Sequence, residues 1–282
     1  MLDELTGDDL YAELIMLRTN DKRYFIVVEG VADVAVFDRF MDLGHCVPIP
    51  AHGKENAHTC LTRVISDHFP GVFAILDKDW LGLLPNNLED DRIVHTDHYD
   101  LDACIFFSGD IYAGIAGSFC AGNGFRNGSP GCTTDDLQRA CVDMAFPLGV
   151  LRYISSRDEL GLKLDKFPLA EALNVDLSVD LDSLVSISIA RTKGASASKC
   201  SLMEDLNREM AAIRDRSRYC SGHDLAKAFS ILLKVSWRGK IGADVVERSA
   251  RAALSATELQ KWAIYSRAKK WVSGSAKNVW RV

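Results

Sequence analysis

Tyr24-Phe-Ile-Val-Val28, closed by Glu29-Gly30, and Val72-Phe-Ala-Ile-Leu76, closed by Asp77-Lys78-Asp79, are the two stretches that decide the reading of this 282-residue chain. Both are unbroken apolar runs, the first wholly β-branched and aromatic, the pattern of strands buried on both faces of a parallel sheet. Between them, Ala32–Leu43 and Asn56–Phe69 carry apolar residues at helical spacing, and Cys46–Pro50 (CVPIP) is a third short apolar run. Strand, helix, strand, helix, strand predicts an α/β fold with a mostly parallel sheet flanked by helices. A short amphipathic helix over Asp8–Arg18 precedes this unit, and Arg92–Thr96 is a fourth apolar segment.

Further along, the chain is harder to read. Gly109–Gly131 is rich in Gly, Ser and Asn, with GNGFRNGSPG at its centre, and predicts a long loop or insertion. Asp135–Met144 and Leu148–Ile154 fit helix or strand, and Leu160–Ile189 is ambiguous. Four helices are expected at Ser201–Arg216, His223–Val235, Ala243–Leu254 and Thr257–Val272. The expected division is a core at 1–108, further α/β elements at 109–200 and a basic helical region at 201–282.

With 48% apolar and 26% charged residues, the composition excludes low-complexity and collagen-like chains. No apolar run approaches the length of a membrane span, and the start MLDELTGDDL is acidic where a secretion signal would be basic and then apolar. A bacterial cytoplasmic protein with no membrane partner is expected. The eight cysteines are scattered without a C-x-x-C pair, and read as buried reduced thiols. Charge is uneven: of 33 Lys+Arg and 39 Asp+Glu, 16 and 8 lie in residues 201–282, a net of +8, leaving 17 and 31, a net of −14. Acids gathered around a cation, with a basic segment for a polyanion, would produce this split, and so would a salt-bridged interface.

In open α/β sheets, functional groups collect at the carboxyl ends of the strands, and here two strands end in acids. If the second run extends through them, Asp77 and Asp79 leave one face and can share a hard divalent ion such as Mg2+ or Mn2+. Alternatively, the acids cap helices or pair with Lys78 and Lys54. Lys54, in a glycine turn before a helix, suits a phosphate oxygen or plain solvent. Asp33 reads as a first-turn acid of the following helix.

The segment FIVVEGVADVAVF (Phe25–Phe37), followed by FAILDKDW (Phe73–Trp80), resembles the two motifs of the Toprim domain, a glutamate after the first strand and D-x-D after the third. GKEN (Gly53–Asn56), HTDHYDLDACI (His95–Ile105), SGHDLAKAF (Ser221–Phe229) and WAIYSRAKKW (Trp262–Trp271) are similar to the stand-alone branch related to the overcoming-lysogenization-defect nucleases, including the Toprim effectors of PARIS anti-phage systems. The resemblance implies a metal-dependent nuclease with Glu29, Asp77, Asp79 and Asp102 as ligands of Mg2+ or Mn2+. Glu29 would serve as ligand or general base, Lys54 as a phosphate contact, and His223 as a phosphate contact or proton donor. It further implies action on tRNA, restraint by an ABC-type ATPase partner, and a possible homodimer on release; a DNA-cutting relative and an inert binding module are the alternatives. Arg238, Lys240, Lys269 and Lys270, with Trp237, Trp262, Tyr265 and Trp271 among them, would form a nucleic-acid track, although aromatics at helical spacing more often pack a core.

Overall fold

The four apolar runs form one sheet in the order β2-β1-β3-β4, all parallel: β1 Tyr24–Val28, β2 Cys46–Pro50, β3 Val72–Leu76 and β4 Ile93–His95. The computed structural model describes residues 5–85, 88–193, 198–273 and 277–281, so the first four residues of the acidic start lie outside it. The prolines of β2 explain why it is an edge. Tyr24 N–H donates to His45 O, and Ala51 N–H to Val28 O, so odd-numbered residues of β2 face β1. Pro48 and Pro50 therefore fall where no ladder donor is required.

Helices cover both faces. Leu10 and Leu14 of α1 (Gly7–Asn20) and Cys60, Leu61 and Val64 of α3 (Lys54–Ser66) pack with Phe25, Val27, Val72 and Ala74. On the opposite face, Trp271 of α12 (Ala263–Trp271) meets Tyr24 and Phe73 at ring-centroid distances of 4.8 and 4.9 Å. Side-chain alternation along the strands assigns these two sets to opposite faces. The helix read as Ala32–Leu43 is shorter, α2 being Val31–Phe37, because the chain turns so that Met41 bridges Trp280.

The chain divides into two compact units, residues 1–101 with 254–282, and residues 102–253. These bounds differ from the divisions expected at 108 and 200, and the basic segment is shared: 201–253 belongs to the helical unit and 254–282 to the sheet unit. The expected helix Thr257–Val272 is two, α11 (Ala256–Leu259) and α12, with the Asp97 carboxylate accepting from Ala263 N–H at 2.8 Å where the second begins.

The second unit is helical: α4 (Leu101–Phe106), α5 (Ile111–Cys120), α6 (Thr134–Arg157), α7 (Leu181–Arg191), α8 (Lys199–Ala212), α9 (Gly222–Trp237) and α10 (Ala243–Ala253). One expectation fails here, and an ambiguous one resolves to helix. The long loop at Gly109–Gly131 holds α5, whose Tyr112, Ala113, Ile115 and Ala116 are buried; burial outweighs the glycine penalty, and Gly114 and Gly117 face open space. Asp135–Met144 and Leu148–Ile154 are one 24-residue helix running through Pro147. Its Gly149 is required, since a Cβ there would stand 2.0 Å from Tyr219 O. No helix among the described residues is long and apolar enough to cross a membrane.

Trp280 anchors the returning C-terminus: it bridges Met41, contacts the Phe37 ring at 6.2 Å and donates from Nε1 to Tyr265 O at 3.0 Å. Trp280→Ala is expected to lower stability by about 3–5 kcal/mol, read as a fall in the urea midpoint without a change in slope.

Candidate metal centre

β1 leads through α2 to β2 on one side, and β3 lies on the other side of β1, so the strand order reverses between β1 and β3. Such a switch point opens a crevice at the carboxyl ends of the strands. Glu29 and Asp77 occupy it, and Glu29 Oε1 accepts from the Asp77 backbone N–H at 3.0 Å. Asp77 Oδ1 accepts from Leu101 N–H at 3.2 Å.

β3 ends at Leu76, so Asp77 and Asp79 do not share a strand face as the D-x-D spacing alone suggested. The backbone turns: Asp79 adopts φ 39°, a left-handed conformation that Asp tolerates, and its N–H donates to Tyr99 O at 2.8 Å. Lys54 Nζ lies 2.5 Å from Asp79 Oδ2. That pairing is one of the alternatives the sequence left open. Lys54 is delivered there by Gly53, whose φ of 128° is closed to other residues, and whose N–H donates to Glu29 O at 2.9 Å. Lys78 turns away to donate to Asp97 O, and Asp33 accepts from Gly30 N–H, closing the first turn of α2 as expected.

The electrostatics are those of crowded acids. Burial, reinforced by Asp79 and Asp33 against the opposing Asp77 N–H and Lys54, pushes the Glu29 carboxyl up to about 7. Asp77 is pushed well above its ordinary value, first by burial and then by Asp100, Glu29, Asp33 and Asp79. Asp100 is the acid that the sequence reading passed over: its motif drew attention to Asp102, two residues on. His95 is held down by burial and by the charges of Lys54 and Arg267. Glu29, Lys54, Asp77, Trp80 and His95 line one cleft of about 130 Å3.

The carboxylate oxygens of Glu29 and Asp77 are the donor type that a hard divalent cation takes, and burial first, then the neighbouring acids, raise the proton affinity of both. A ready coordination shell is not formed: among the described residues, no group of three or more His, Cys, Asp or Glu stands close enough to hold a metal ion. Lys54 supplies the compensating positive charge in this arrangement.

Asp102 has a different partner. Arg251 holds it through Nε–Oδ1 at 2.7 Å and through a second contact from Nη2 to Oδ2, an ion pair within the helical unit. This fork accounts for its carboxylate, and assigning it to a metal instead would break the pair. His223 Nδ1 lies 2.6 Å from Glu247 Oε1, and that hydrogen bond raises the imidazole's pKa; Ser221 Oγ caps the same helix by accepting from Asp224 N–H. Arg238 and Lys240 are exposed after the last turn of α9, and Lys269 and Lys270 are exposed on α12. The aromatics pack internally, Trp237 on Phe125 and Tyr265 on Trp280, and Trp262 is buried. All eight cysteines are free, and all but Cys200 are buried.

No protein-family model matches the chain, and no curated protein matches it.

The raised Glu29 pKa has a definite sign. Folded Glu29 holds its proton to about 7 against an ordinary 4.5, so the folded state binds more protons between these values and loses stability as pH rises through that window. Glu29→Gln keeps the Oε1 acceptor and removes the charge. It is expected to raise the melting temperature at about pH 8 and leave it nearly unchanged at about pH 4, a difference of about 1–3 kcal/mol. Millimolar Mg2+ should stabilise the wild type at the higher pH and the variant much less.

Proposed function

We propose that the chain is a metal-dependent nuclease of the Toprim kind, cleaving phosphodiester bonds as an effector of anti-phage defence. The observation that carries this reading is the convergence of Glu29 and Asp77, joined by a 3.0 Å hydrogen bond at the sheet's switch point, with Asp79 and Lys54 beside them. Glu29, Asp77 and Asp79 are the residues that would hold the ion. When bound, Mg2+ or Mn2+ would supply charge neutralisation at the phosphate and ease ionisation of the attacking water.

The chain's own groups do the rest. Glu29 would serve either as a ligand of the ion or, where Asp77 and Asp79 hold it alone, as the general base, for which a carboxyl with a pKa of about 7 is matched near neutral pH. Lys54 can exchange its ion pair with Asp79 for a phosphate oxygen of the substrate, as both sites present the same point charge. The same resemblance leads us to propose tRNA as the target and an ABC-type ATPase as the restraining partner. The 282 residues contain no G-x-x-x-x-G-K-[ST], so in this reading ATP is handled by the partner.

The test incubates the protein with a tRNA pool and with supercoiled plasmid, with and without Mg2+ or Mn2+, alongside Glu29→Ala and Asp77→Asn. Metal-dependent cuts in tRNA that fall by about 100-fold or more in both variants are expected. Plasmid nicking with the same dependence would transfer the assignment to a DNA nuclease. Cleavage unchanged in folded variants would overturn the site, and no cleavage of either substrate by the wild type would point to an inert binding module.

A further inference from the structure

Three clefts of the sheet unit share residues end to end. The cleft holding Glu29, Lys54 and Asp77 has Leu81, Leu88 and His95 in common with a second of about 470 Å3. The second shares Asp90, Asp91, Ile93 and Arg267 with a third of about 580 Å3, which Phe73, Lys270 and Trp271 also line. The result is a groove that leaves the acid cluster, follows β4 at the open edge of the sheet, and ends against α12.

Its far wall is set by helical geometry. Arg267, Lys270 and Trp271 stand at i, i+3 and i+4 of α12, so they share one helix face. Lys269, next in sequence to Lys270, is not part of that lining. Trp271 is half-buried between Tyr24 and Phe73, and its remaining surface borders the cleft. α12 is held in this position by the Asp97 carboxylate at its first turn.

We infer that this groove receives a single-stranded stretch of nucleic acid leading to the acid cluster, with Arg267 and Lys270 on its phosphates and Trp271 beside a base. The inference rests on the nuclease reading above and names the form of substrate which that site takes. Cations at one end and Lys54 at the other give a polyanion contacts along the path. The second and third clefts, about 470 and 580 Å3, lie in the range that fits small ligands, roughly 300–1,000 Å3, and so a nucleotide or two, and an aromatic surface can be used only by a base that has left its stack. The acids of the groove limit its affinity. Asp90 is neutralised by Arg92 at 2.7 and 3.0 Å, whereas Glu89 and Asp91 are exposed at the rim. A weak, two-cation contact is therefore expected in place of a strongly basic channel.

Binding without turnover is the measurement. Fluorescence anisotropy in EDTA would compare labelled single-stranded RNA and DNA oligonucleotides with duplexes of the same sequence, against wild type, Arg267→Gln/Lys270→Gln and Lys269→Gln. The single strand should bind the wild type more tightly than the duplex. The double variant should weaken it by about ten-fold and reduce the salt slope by about 1.4, two contacts at about 0.7 each. Lys269→Gln should change both by much less. Equal affinity and slope in the double variant, equal binding of duplex, an equal loss in Lys269→Gln, or no binding by the wild type would each overturn the groove. Because EDTA removes cleavage from the measurement, intact groove binding with no metal-dependent cleavage would instead sink the nuclease reading alone.

Discussion

The register between β1 and β3 is the constraint on which the rest depends. Phe25 lies opposite Val72 and Val28 opposite Ile75, so each chain leaves the sheet within a residue of the other, and the acids that follow are delivered to the same crevice. Neighbouring strands are only about 4.8 Å apart. A shift of one residue would turn Glu29 or Asp77 toward a helix-covered face, where an unpaired carboxylate is costly. The two apolar runs are thus bound to a single register by their burial, and the crowded charge at their ends is a consequence of it.

Crowding is balanced locally in several ways. The Asp77 N–H answers Glu29, the Leu101 N–H answers Asp77, and Lys54 answers Asp79. Burial and the neighbouring acids outweigh this balance and leave Glu29 and Asp77 with raised proton affinity, which is the condition under which a cation or a proton is taken up readily. Gly53 has a part in this that no side chain could play: its positive φ brings Lys54 over the crevice while its N–H ties the turn to Glu29 O.

The C-terminal 29 residues show how a segment distant in sequence completes a sheet. Trp271 packs on the face opposite α1 and α3, Trp280 bridges Met41, and the Asp97 carboxylate starts α12 just beyond the end of β4. The position of Arg267 and Lys270 beside β4 follows from that docking. Their basic character was visible in the sequence, whereas their separation from Lys269 depended on which face of α12 meets the sheet.

What the sequence determined by itself was the class of fold and the candidate acids, because strand burial and chain order are written in local runs: YFIVV, CVPIP and VFAIL appear as strands with the expected bounds, and Glu29 and Asp77 follow directly. Glycine richness misled where burial outweighed propensity, in α5. Only the tertiary structure could decide the partners. Arg251 for Asp102 and Glu247 for His223 come from 149 and 24 residues away, and Lys54 reaches Asp79 across a turn with φ values that spacing does not reveal. Side-chain pairing depends on distance in space, and chain order constrains that distance only within an element or between strands whose burial fixes their register.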